Sequence, residues 1–365
     1  MNHRIYNFGA GPGMLPLSIL EEVQGELLNW QNLGMSVLEV GHRSRAFLAL
    51  MEDLEEQLRY LLQIPPDYRV LFLGGATRAH FAMIPLNFVQ DGKQAGFWLT
   101  GVWSTAAYKE AQKLTRAYCI ASTEAFDYSA IPEESLWQIQ ENSAYLYLVV
   151  NETINGVRFA PTPNKKVANI PLIADLTSSL LTEPLNLKDY AMVFAGAQKN
   201  IANAGLTLAI INEKLLEHIP ETKIPTMMNY REQVLAKSMY ATLPTFNCYL
   251  ALKMLKWIKE QGGVAALHKI NLQKANLLYN YIDSNDFYVC KVAKNARSHV
   301  NICFSLRDPL LEELFLAQAE EWGLFALKGH RTVLGLRASI YNAMSVAGIE
   351  LLIEFMRTFA EQHSC

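Results

Sequence analysis

The chain has 365 residues, of which 51% are hydrophobic and 18% are charged, and its formal net charge is −3. This length favours two domains, because a single hydrophobic core rarely keeps growing beyond about 250–300 residues. There is no excess of basic residues, so we expect no nucleic-acid partner. No apolar stretch reaches the roughly 18 residues of a membrane span, so we expect no membrane partner either.

The cysteines are odd in number and widely spaced: Cys119, Cys248, Cys290, Cys303 and Cys365. They form neither a CxxC pair nor a Cys/His spacing typical of a metal site, and we predict no metal. A chain of this length does not need disulfides for stability, so we expect reduced thiols in a cytoplasmic protein. The amino-terminal segment "MNHRIYNFGAGPGMLP" lacks the apolar core of a signal peptide.

Apolar runs and amphipathic helices alternate along most of the chain. Apolar residues at helical spacing predict a first helix with one buried face: Phe47, Met51, Leu54, Leu58 and Leu61. Short apolar runs then predict buried strands: "RVLFLGG", "AGFWLTG", "YLYLVVNET", "IPLIADLTSS", "AMVFAGAQK" and "LTLAIIN". Because helices separate several of these strands, the pattern predicts an α/β fold with a large, mainly parallel sheet sandwiched by helices.

The carboxyl-terminal part of the chain has a different pattern. A long predicted helix, "PTFNCYLALKMLKWIKEQGG", begins at Pro244 and ends at Gly262 and Gly263. The segments after it predict a smaller α+β domain: helix "VAALHKINLQKANLLYNYI", strand "HVNICFSL", helix "LLEELFLAQAEEWGL" and helix "AGIELLIEFMRTFAEQ". We therefore predict a large domain at residues 15–262 and a small domain made of residues 1–14 and 263–365.

One lysine stands among small residues where a predicted strand ends, in "VFAGAQKNIANAG". By spacing alone, Lys199 is more often a solvated turn residue. Other predicted strand ends place Asp175, Asn151 and Thr153 at the same edge of the sheet, and "LTGVW" adds Trp103. The turn in "FLGGATRAHF" opens a helix whose free backbone N–H groups could hold a phosphate.

One cofactor uses all of these features together. Pyridoxal 5'-phosphate needs a lysine for a Schiff base, an acid opposite its pyridine nitrogen, a phosphate cup and an aromatic lid. An ionised carboxylate favours the protonated ring. The lysine must be partly desolvated, because a free amine is almost wholly protonated at neutral pH. The order of Asp175 and Lys199 along the chain therefore predicts a pyridoxal-phosphate enzyme.

The sequence resembles the phosphoserine aminotransferase family, whose members are class V, fold-type I pyridoxal-phosphate enzymes. The likeness runs nearly end to end and rests on "NFGAGPGMLP", "EVGHRSRAF", "NETINGV", "IADLTSS", "AGAQKN", "GGVAALHKIN" and "KGHRTVLGLRASIYNAM". It implies reversible amino transfer between O-phospho-L-serine with 2-oxoglutarate and 3-phosphonooxypyruvate with L-glutamate, in serine biosynthesis. It also implies 4-phosphonooxy-L-threonine, of pyridoxine biosynthesis, as a second substrate.

The resemblance implies a role for each residue around the lysine. Lys199 would form the Schiff base and move the proton at the substrate's α-carbon, and Asp175 would pair with the pyridine nitrogen. Trp103 would stack on the ring, and Thr153 would donate a hydrogen bond to it.

The resemblance also implies how the cofactor phosphate is held, namely by the backbone of Thr77 and Arg78 and by Gln198. The family completes this site with an Asn-Thr pair from the neighbouring subunit of a homodimer. In "MYATLPTF" the pair reads Ala241-Thr242, so Thr242 keeps its role and the Asn amide is missing. One lost hydrogen bond typically costs only about 1 kcal/mol net.

Local positive charge appears in two "GHR" segments and just after the second of them. The planar fork of arginine suits both carboxylates and phosphates. By the resemblance, Arg337 binds the α-carboxylate of the substrate. Five further residues would bind the phosphate of phosphoserine or the side-chain carboxylate of glutamate: His42, Arg43, Arg78, His330 and Arg331. Family members often have Ser at Ala10 and Gln at His80, and we expect these differences to alter KM before the chemistry.

Two alternatives to an aminotransferase are compatible with a chain of this kind. Cysteine desulfurase-like class V enzymes carry a His before the lysine and a catalytic cysteine on a mobile loop. Here Gln198 precedes Lys199, and none of the five cysteines lies in such a motif. A non-catalytic binding protein on the same fold is the second alternative, and the intact Lys199, Asp175 and Trp103 argue against it.

Overall fold

The computed structural model describes residues 4–159, 167, 169–220 and 224–363. The strands in these ranges are β1 Tyr6–Asn7, β2 Tyr68–Gly74, β3 Gln94–Leu99, β4 Ala117–Ser122, β5 Ser143–Val149, β6 Asn151–Glu152, β7 Val157–Arg158, β8 Leu172–Asp175, β9 Met192–Gly196, β10 Leu206–Asn212, β11 Tyr288–Val289, β12 Asn301–Leu306, β13 Leu324–Phe325 and β14 Leu336–Ser339. The α-helices are α1 Leu17–Glu26, α2 Arg45–Leu62, α3 Ala79–Phe88, α4 Val102–Ala111, α5 Glu213–Glu217, α6 Tyr230–Leu235, α7 Thr245–Glu260, α8 Gly263–Asp283, α9 Glu312–Glu321 and α10 Val346–His363. Within the described ranges, every helix is too short or too polar to cross a bilayer.

Among the described residues, seven strands form the central sheet, in the order β2-β10-β9-β8-β5-β3-β4. The pairs from β9 to β4 are parallel, whereas β10 is antiparallel to both of its neighbours, β2 and β9. Strand β2 therefore runs in the same direction as β9. All strands of this sheet except β10 end at one edge, and the predicted mainly parallel sheet is confirmed.

Both faces of the central sheet are buried, and successive residues of a strand pack into different cores. In β5, Leu146 and Leu148 join one core, while Tyr145 and Tyr147 join the other. Helices α2 and α7 cover the first core, and α3 and α4 cover the second. A sheet covered on both sides produces strands that are apolar throughout, which is why these strands stand out in the sequence.

Helix α2 is the first helix predicted from the apolar spacing. The Ser44 hydroxyl caps its amino terminus by accepting a hydrogen bond from the Phe47 N–H over 3.2 Å. Its buried face includes Phe47, Leu54 and Leu58. The helix ends at Leu62, and the left-handed backbone of the next residue, Gln63 (φ 49°), turns the chain away. Local capping and one apolar face therefore define both ends of α2 and its side against the sheet.

One strand of the central sheet, β4, was not predicted from the sequence. This strand lies at the end of the sheet order and pairs with β3. Ile120 is its one buried residue. A strand at the sheet edge with a single buried side chain lacks the apolar run from which the other strands were predicted.

A separate core surrounds the three-stranded sheet β11-β12-β14. Strand β1 pairs in parallel with β13, and Phe8, just after β1, belongs to the same core. Helix α8 contributes to both regions, because Leu267 packs in the core of the central sheet and Leu278 packs in this second core. The domain limits at residues 14/15 and 262/263 stay a prediction.

A buried lysine of α8 holds the loop between β14 and α10. Lys274 is fully buried. Its Nζ donates hydrogen bonds of 2.8–2.9 Å to the carbonyl oxygens of Ile340, Tyr341 and Met344. Burial lowers the pKa of Lys274 to about 7, while the three carbonyl acceptors stabilise its charged form. The lysine thereby ties the carboxyl end of β14 to α8.

Replacing Lys274 by methionine is expected to lower the free energy of unfolding by about 3 kcal/mol, because buried carbonyl oxygens lose their donor. Urea unfolding followed by circular dichroism measures the change. Lys269→Met is the matched control, since Lys269 is exposed on the same helix, and its expected effect is less than about 0.5 kcal/mol. Equal free energies of unfolding for the two variants would contradict this role of Lys274.

Candidate active site

A cavity of about 210 Å³ lies at the edge of the central sheet where β5, β8 and β9 end. Several residues predicted from the sequence line it: Thr77, Arg78, Trp103, Asn151, Thr153, Asp175, Gln198 and Lys199. Each of them ends a strand of the sheet, follows one, or lies at the start of the helix after it. The common direction of these strands therefore brings residues from distant parts of the sequence to one place.

The small residues around Lys199 allow close contacts with the backbone. A β-carbon at Gly196 would overlap the Thr77 hydroxyl and the Gln198 amide. The Gly13 N–H donates a 2.8 Å hydrogen bond to the Gln198 carbonyl. A β-carbon at Gly13 would lie only 2.7 Å from the carbonyl oxygen of Lys199. The amino-terminal segment therefore packs directly against the turn that carries the lysine.

The amine of Lys199 lies out of water, with 8% of the residue exposed. Its Nζ donates a 2.5 Å hydrogen bond to the Thr153 hydroxyl. Burial lowers the pKa of Lys199 to about 8, and the charge of Arg337 acts in the same direction. The carboxylates of Asp175 and Glu152 oppose this shift in pKa. Lys199 therefore lies within the electrostatic reach of both acids and of Arg337.

Asp175 is the last residue of β8 and is 4% exposed. Burial raises the pKa of its carboxyl group, while hydrogen bonds from the Thr177 hydroxyl and N–H, together with the charge of Lys199, oppose that rise. The bond from the Thr177 N–H to Oδ1 is 2.8 Å long. In this buried position, a charge on Asp175 acts strongly on neighbouring groups, because little water screens it.

A buried carboxylate holds the first turn of α4, which carries Trp103. Glu152 accepts hydrogen bonds from the backbone N–H of Trp103 (2.9 Å) and of Ser104 (2.8 Å). The Asn155 side chain accepts another from the N–H of Val102 (3.1 Å). Burial raises the pKa of Glu152 to about 7, although the hydrogen bonds to its carboxylate oppose this. The segment that follows β5 therefore fixes the start of α4 and with it the Trp103 ring.

The turn between β2 and α3 has the features of an anion site. No side chain caps the amino terminus of α3. The Thr77 hydroxyl is buried, and within the described residues it has no hydrogen-bond partner. The guanidinium of Arg78 lies 5.1 Å from the centre of the Trp103 ring. An uncapped helix terminus and an unpartnered hydroxyl fit a phosphate group, so these residues suit the cofactor predicted from the sequence.

Four of the predicted substrate-binding residues form a cationic group close to the cavity: Arg78, His330, Arg331 and Arg337. Burial lowers the pKa of His330, and the charges of the three arginines lower it further. The Nε of Arg337 is buried and has no hydrogen-bond partner among the described residues. This group therefore offers concentrated positive charge and an unused donor to an anionic ligand.

Of this cationic group only Arg78 lines the cavity itself. The other predicted binding residues do not line it either: His42, Arg43 and Thr242. The Nη2 of Arg43 donates to the carbonyl oxygen of Met239 over 3.5 Å. Ala241 and Thr242 follow Met239 closely in the chain, and Arg43 and Thr242 are both exposed. The structure therefore brings these residues to a common region of the surface.

His80 and Ala10, the two other positions that differ from the family pattern, have structural contacts. His80 packs in the core, where its ring nitrogens lie 2.7 Å from the Tyr230 hydroxyl and 3.0 Å from the Thr207 hydroxyl. Burial lowers the pKa of His80 to about 3, so the ring is neutral. The carbonyl oxygen of Ala10 accepts a 2.8 Å hydrogen bond from the Tyr341 hydroxyl.

Two polar residues that support the cavity wall, Asn301 and Tyr341, were not predicted from the sequence. Asn151 donates to the Asn301 side-chain oxygen over 2.7 Å, and Asn301 donates to the Tyr341 hydroxyl over 3.1 Å. These residues come from separate regions of the sequence, so no short spacing connects them. Glu152 was also missed, although a charged residue directly after the apolar run of β5 was a signal that could have identified it.

The cysteines have no place in this cavity. The described ones, Cys119, Cys248, Cys290 and Cys303, are free, and Cys365 lies outside the described residues. Burial raises the pKa of each described thiol, so little reactive thiolate forms near neutral pH. None of these four residues lines the cavity. This arrangement argues against a desulfurase.

Known proteins resemble the chain over its whole length. The family model of class V aminotransferases matches residues 5–352. A phosphoserine aminotransferase of Legionella pneumophila is 55% identical over 363 residues, which cover 100% of both chains. The solved structure of phosphoserine aminotransferase from Bacillus circulans subsp. alkalophilus is 41% identical, with a TM-score of 0.96 and 100% of both chains covered.

A further solved structure, PLP-bound phosphoserine aminotransferase from Trichomonas vaginalis, is 35% identical, with a TM-score of 0.92. The match covers 97% of this chain and 100% of the Trichomonas chain. The predicted fold-type I architecture is confirmed by these neighbours and by the helix-covered central sheet. On the strength of identity and coverage together, the chain belongs to the phosphoserine aminotransferase family of the class V aminotransferases.

Proposed function

We propose that the chain transfers an amino group reversibly between O-phospho-L-serine and 2-oxoglutarate, forming 3-phosphonooxypyruvate and L-glutamate in serine biosynthesis, with pyridoxal 5'-phosphate as cofactor. The observation that carries the proposal is the buried amine of Lys199, with its pKa lowered to about 8 near the Asp175 carboxylate. A second substrate, 4-phosphonooxy-L-threonine, and a cytoplasmic location stay predictions from the sequence.

The cavity offers a suitable group for each part of the cofactor. When bound, pyridoxal phosphate supplies an electron sink for the bonds at the substrate's α-carbon. The Asp175 carboxylate suits a protonated ring nitrogen, and the flat Trp103 ring suits stacking. The phosphate matches the uncapped terminus of α3 and the unpartnered Thr77 hydroxyl. The residues that would hold the cofactor are Thr77, Arg78, Trp103, Thr153, Asp175, Gln198, Lys199 and, from the partner subunit, Thr242.

The Nζ of Lys199 is the group that would remove and return the proton at the substrate's α-carbon. With a pKa of about 8, about one amine in ten is neutral at pH 7, against roughly one in 3,000 for an ordinary lysine. A base works best when its pKa lies near the pH of the reaction. The Thr153 hydroxyl, 2.5 Å from Nζ, holds the amine in position.

The cationic group would bind the acidic ends of the substrates. Arg337, whose buried Nε has no partner among the described residues, would bind the α-carboxylate. Arg78, His330 and Arg331 would bind the distal group. Because guanidinium binds phosphate and carboxylate alike, one group of cations can accept phosphoserine and glutamate in turn. A bound dianion would favour the protonated imidazole of His330 and so bind more tightly.

We infer that a homodimer completes the site. The segment of His42 and Arg43 contacts the segment of Thr242 through the hydrogen bond to the Met239 carbonyl. Large apolar side chains in these segments are exposed, including Leu38 at 60%. Exposed apolar surface next to polar residues is typical of a protein interface. On this proposal, His42, Arg43 and Thr242 reach the cavity of the partner subunit.

The proposed reaction is tested by mixing the holoenzyme with L-glutamate, which is expected to remove the visible absorbance of the bound cofactor. Addition of 3-phosphonooxypyruvate should restore the absorbance. Lys199→Ala is expected to lower kcat/KM by more than about a thousandfold, since it removes the base. The matched control is Lys214→Ala, at an exposed position, and it should leave the activity unchanged.

Phosphate recognition is tested in the same assay with 3-hydroxypyruvate, which lacks the phosphate group. Its kcat/KM should be lower by at least about a hundredfold, because the cationic group is left without its partner. Equal kcat/KM for the two keto acids would contradict the phosphate site, and a cofactor band unaffected by Lys199→Ala would contradict the role of that lysine.

The shared site predicts that two inactive variants complement each other. In a dimer of one Lys199→Ala chain and one Arg43→Ala chain, one of the two cavities would have both groups intact. Random pairing should therefore give about a quarter of the wild-type activity. Co-expression of the two chains, followed by a kcat measurement on the mixture, tests this. Activity no higher than the average of the two pure variants would show that Arg43 serves its own chain.

Glu152→Gln is expected to speed cofactor loss by about tenfold, because it disturbs the start of α4 and the Trp103 ring. A glutamine oxygen can accept from only one of the two backbone N–H groups, and its own amide N–H₂ faces the other. Cofactor release during dialysis, followed by absorbance, measures the effect. Glu110→Gln is the matched control, since Glu110 lies on the same helix and pairs with Lys113 at the surface.

The wild type and Glu152→Gln can also be compared at different pH values in the cofactor-free state. Burial raises the pKa of Glu152 from 4.5 to about 7, so the folded chain binds more protons than the unfolded chain between these values. The free energy of unfolding of the wild type should therefore fall relative to Glu152→Gln as the pH rises from 4.5 to 7. Parallel pH profiles of the two proteins would contradict a buried, titrating Glu152.

A further inference from the structure

A glutamate and two histidines lie close together, and none of the three lines the cavity. Glu183 follows β8, His268 lies in α8 and His299 lies just before β12. One possible ligand atom from each of the three residues lies within 4.8 Å of the others. All three are partly buried. The fold therefore brings together a set of nitrogen and oxygen donors from three distant segments.

The two imidazole rings have unused polar atoms. The Nδ1 atoms of His268 and His299 are both buried, and neither has a hydrogen-bond partner within the described residues. Their ring centres are 5.9 Å apart and the planes are tilted by 48°. A buried polar atom without a partner costs about 1–3 kcal/mol. Two such atoms in neighbouring rings mark a place where a ligand would satisfy both.

Arg158 holds the glutamate of this cluster. Its Nε donates to both carboxylate oxygens of Glu183 over 3.0–3.1 Å, and its Nη2 donates over 2.7 Å. A carboxylate has about four lone-pair positions that can accept a bond. The hydrogen bonds from Arg158 therefore leave a Glu183 lone pair available to another ligand. Partners of this kind orient metal-binding carboxylates in known sites.

The positive charge of Arg158 lies close to this cluster, because its guanidinium donates hydrogen bonds to Glu183. That charge weakens the attraction for a cation. We therefore expect an affinity below that of typical structural zinc sites.

We propose that Glu183, His268 and His299 form a binding site for Zn²⁺, with water as the fourth ligand. Two imidazoles and one carboxylate are a ligand set that zinc accepts with an open position. The ion would connect the segment after β8 with α8 and with the segment before β12, and so would stabilise their mutual arrangement. The site is separate from the proposed amino transfer and does not depend on it.

Equilibrium dialysis of the EDTA-treated holoenzyme against Zn²⁺ tests the proposal. We expect one zinc ion per chain with a dissociation constant of about 1 µM. His268→Ala and His299→Ala should each weaken binding by more than about tenfold. His218→Asn, at an exposed histidine bonded to the Lys214 carbonyl, is the matched control and should bind zinc like the wild type. The cofactor absorbance shows that each variant is folded.

Co²⁺ provides a test that needs no variant. In the wild-type holoenzyme it should give the visible bands of a four-coordinate nitrogen and oxygen site, without the sulfur charge-transfer band of a cysteine ligand. Zn²⁺ should also raise the Tm of the wild type. Failure of the wild type to bind one zinc, a sulfur band with Co²⁺, or unchanged binding by the doubly substituted His268→Ala/His299→Ala chain would overturn the proposal.

Discussion

The burial of one amine, that of Lys199, is the constraint on which the rest of the site depends. An ammonium ion loses its hydration when it is buried, so burial favours the neutral amine. The Thr153 hydroxyl and the Asp175 carboxylate compensate in part, and the balance leaves the pKa of Lys199 at about 8. Deeper burial of the amine would lower the stability of the fold further. Greater exposure to water would leave the amine protonated. The turn after β9 achieves this balance because Gly196 leaves room for the Thr77 and Gln198 side chains, and Gly13 lets the amino-terminal backbone lie against the turn.

Most of the other polar groups around the lysine are neutral or are charges held by hydrogen bonds. Asp175 accepts a hydrogen bond from the Thr177 N–H, and Glu152 accepts hydrogen bonds from backbone N–H groups in the first turn of α4. Behind them, Asn151 and Asn301 pair through their side chains. Neutral amides satisfy buried polar atoms without adding charge, so they hold the wall in place while leaving the field at the amine to the two acids and the nearby arginine. The residues that hold the cavity wall in place are therefore different from those that set the electric field at the Lys199 amine.

The parts of this fold that could be predicted from the sequence are those with a strong local pattern. Strands buried on both faces are apolar throughout, whereas β4, with only Ile120 buried, has no such signal. The antiparallel direction of β10 was not predicted. The direction of a strand depends on the path of the connection that precedes it, and the composition of the strand does not record that path. Lys199 and Asp175 could be predicted because Asp175 ends an apolar strand and Lys199 follows one. His268 and His299 could not be related to each other, since only the folded chain brings them together.

The pairing of β1 with β13 has a consequence for synthesis of the chain. Tyr6 is synthesised well before its partner Leu324, because most of the described residues lie between them in the chain. At typical rates of translation, this separation lasts roughly 15–60 s. The strands of the central sheet, which end at Asn212, emerge well before Leu324. The sheet can therefore form while β1 still lacks its partner. The segment around Gly13, which packs on the lysine turn, is therefore held through β1 only after β13 has been made.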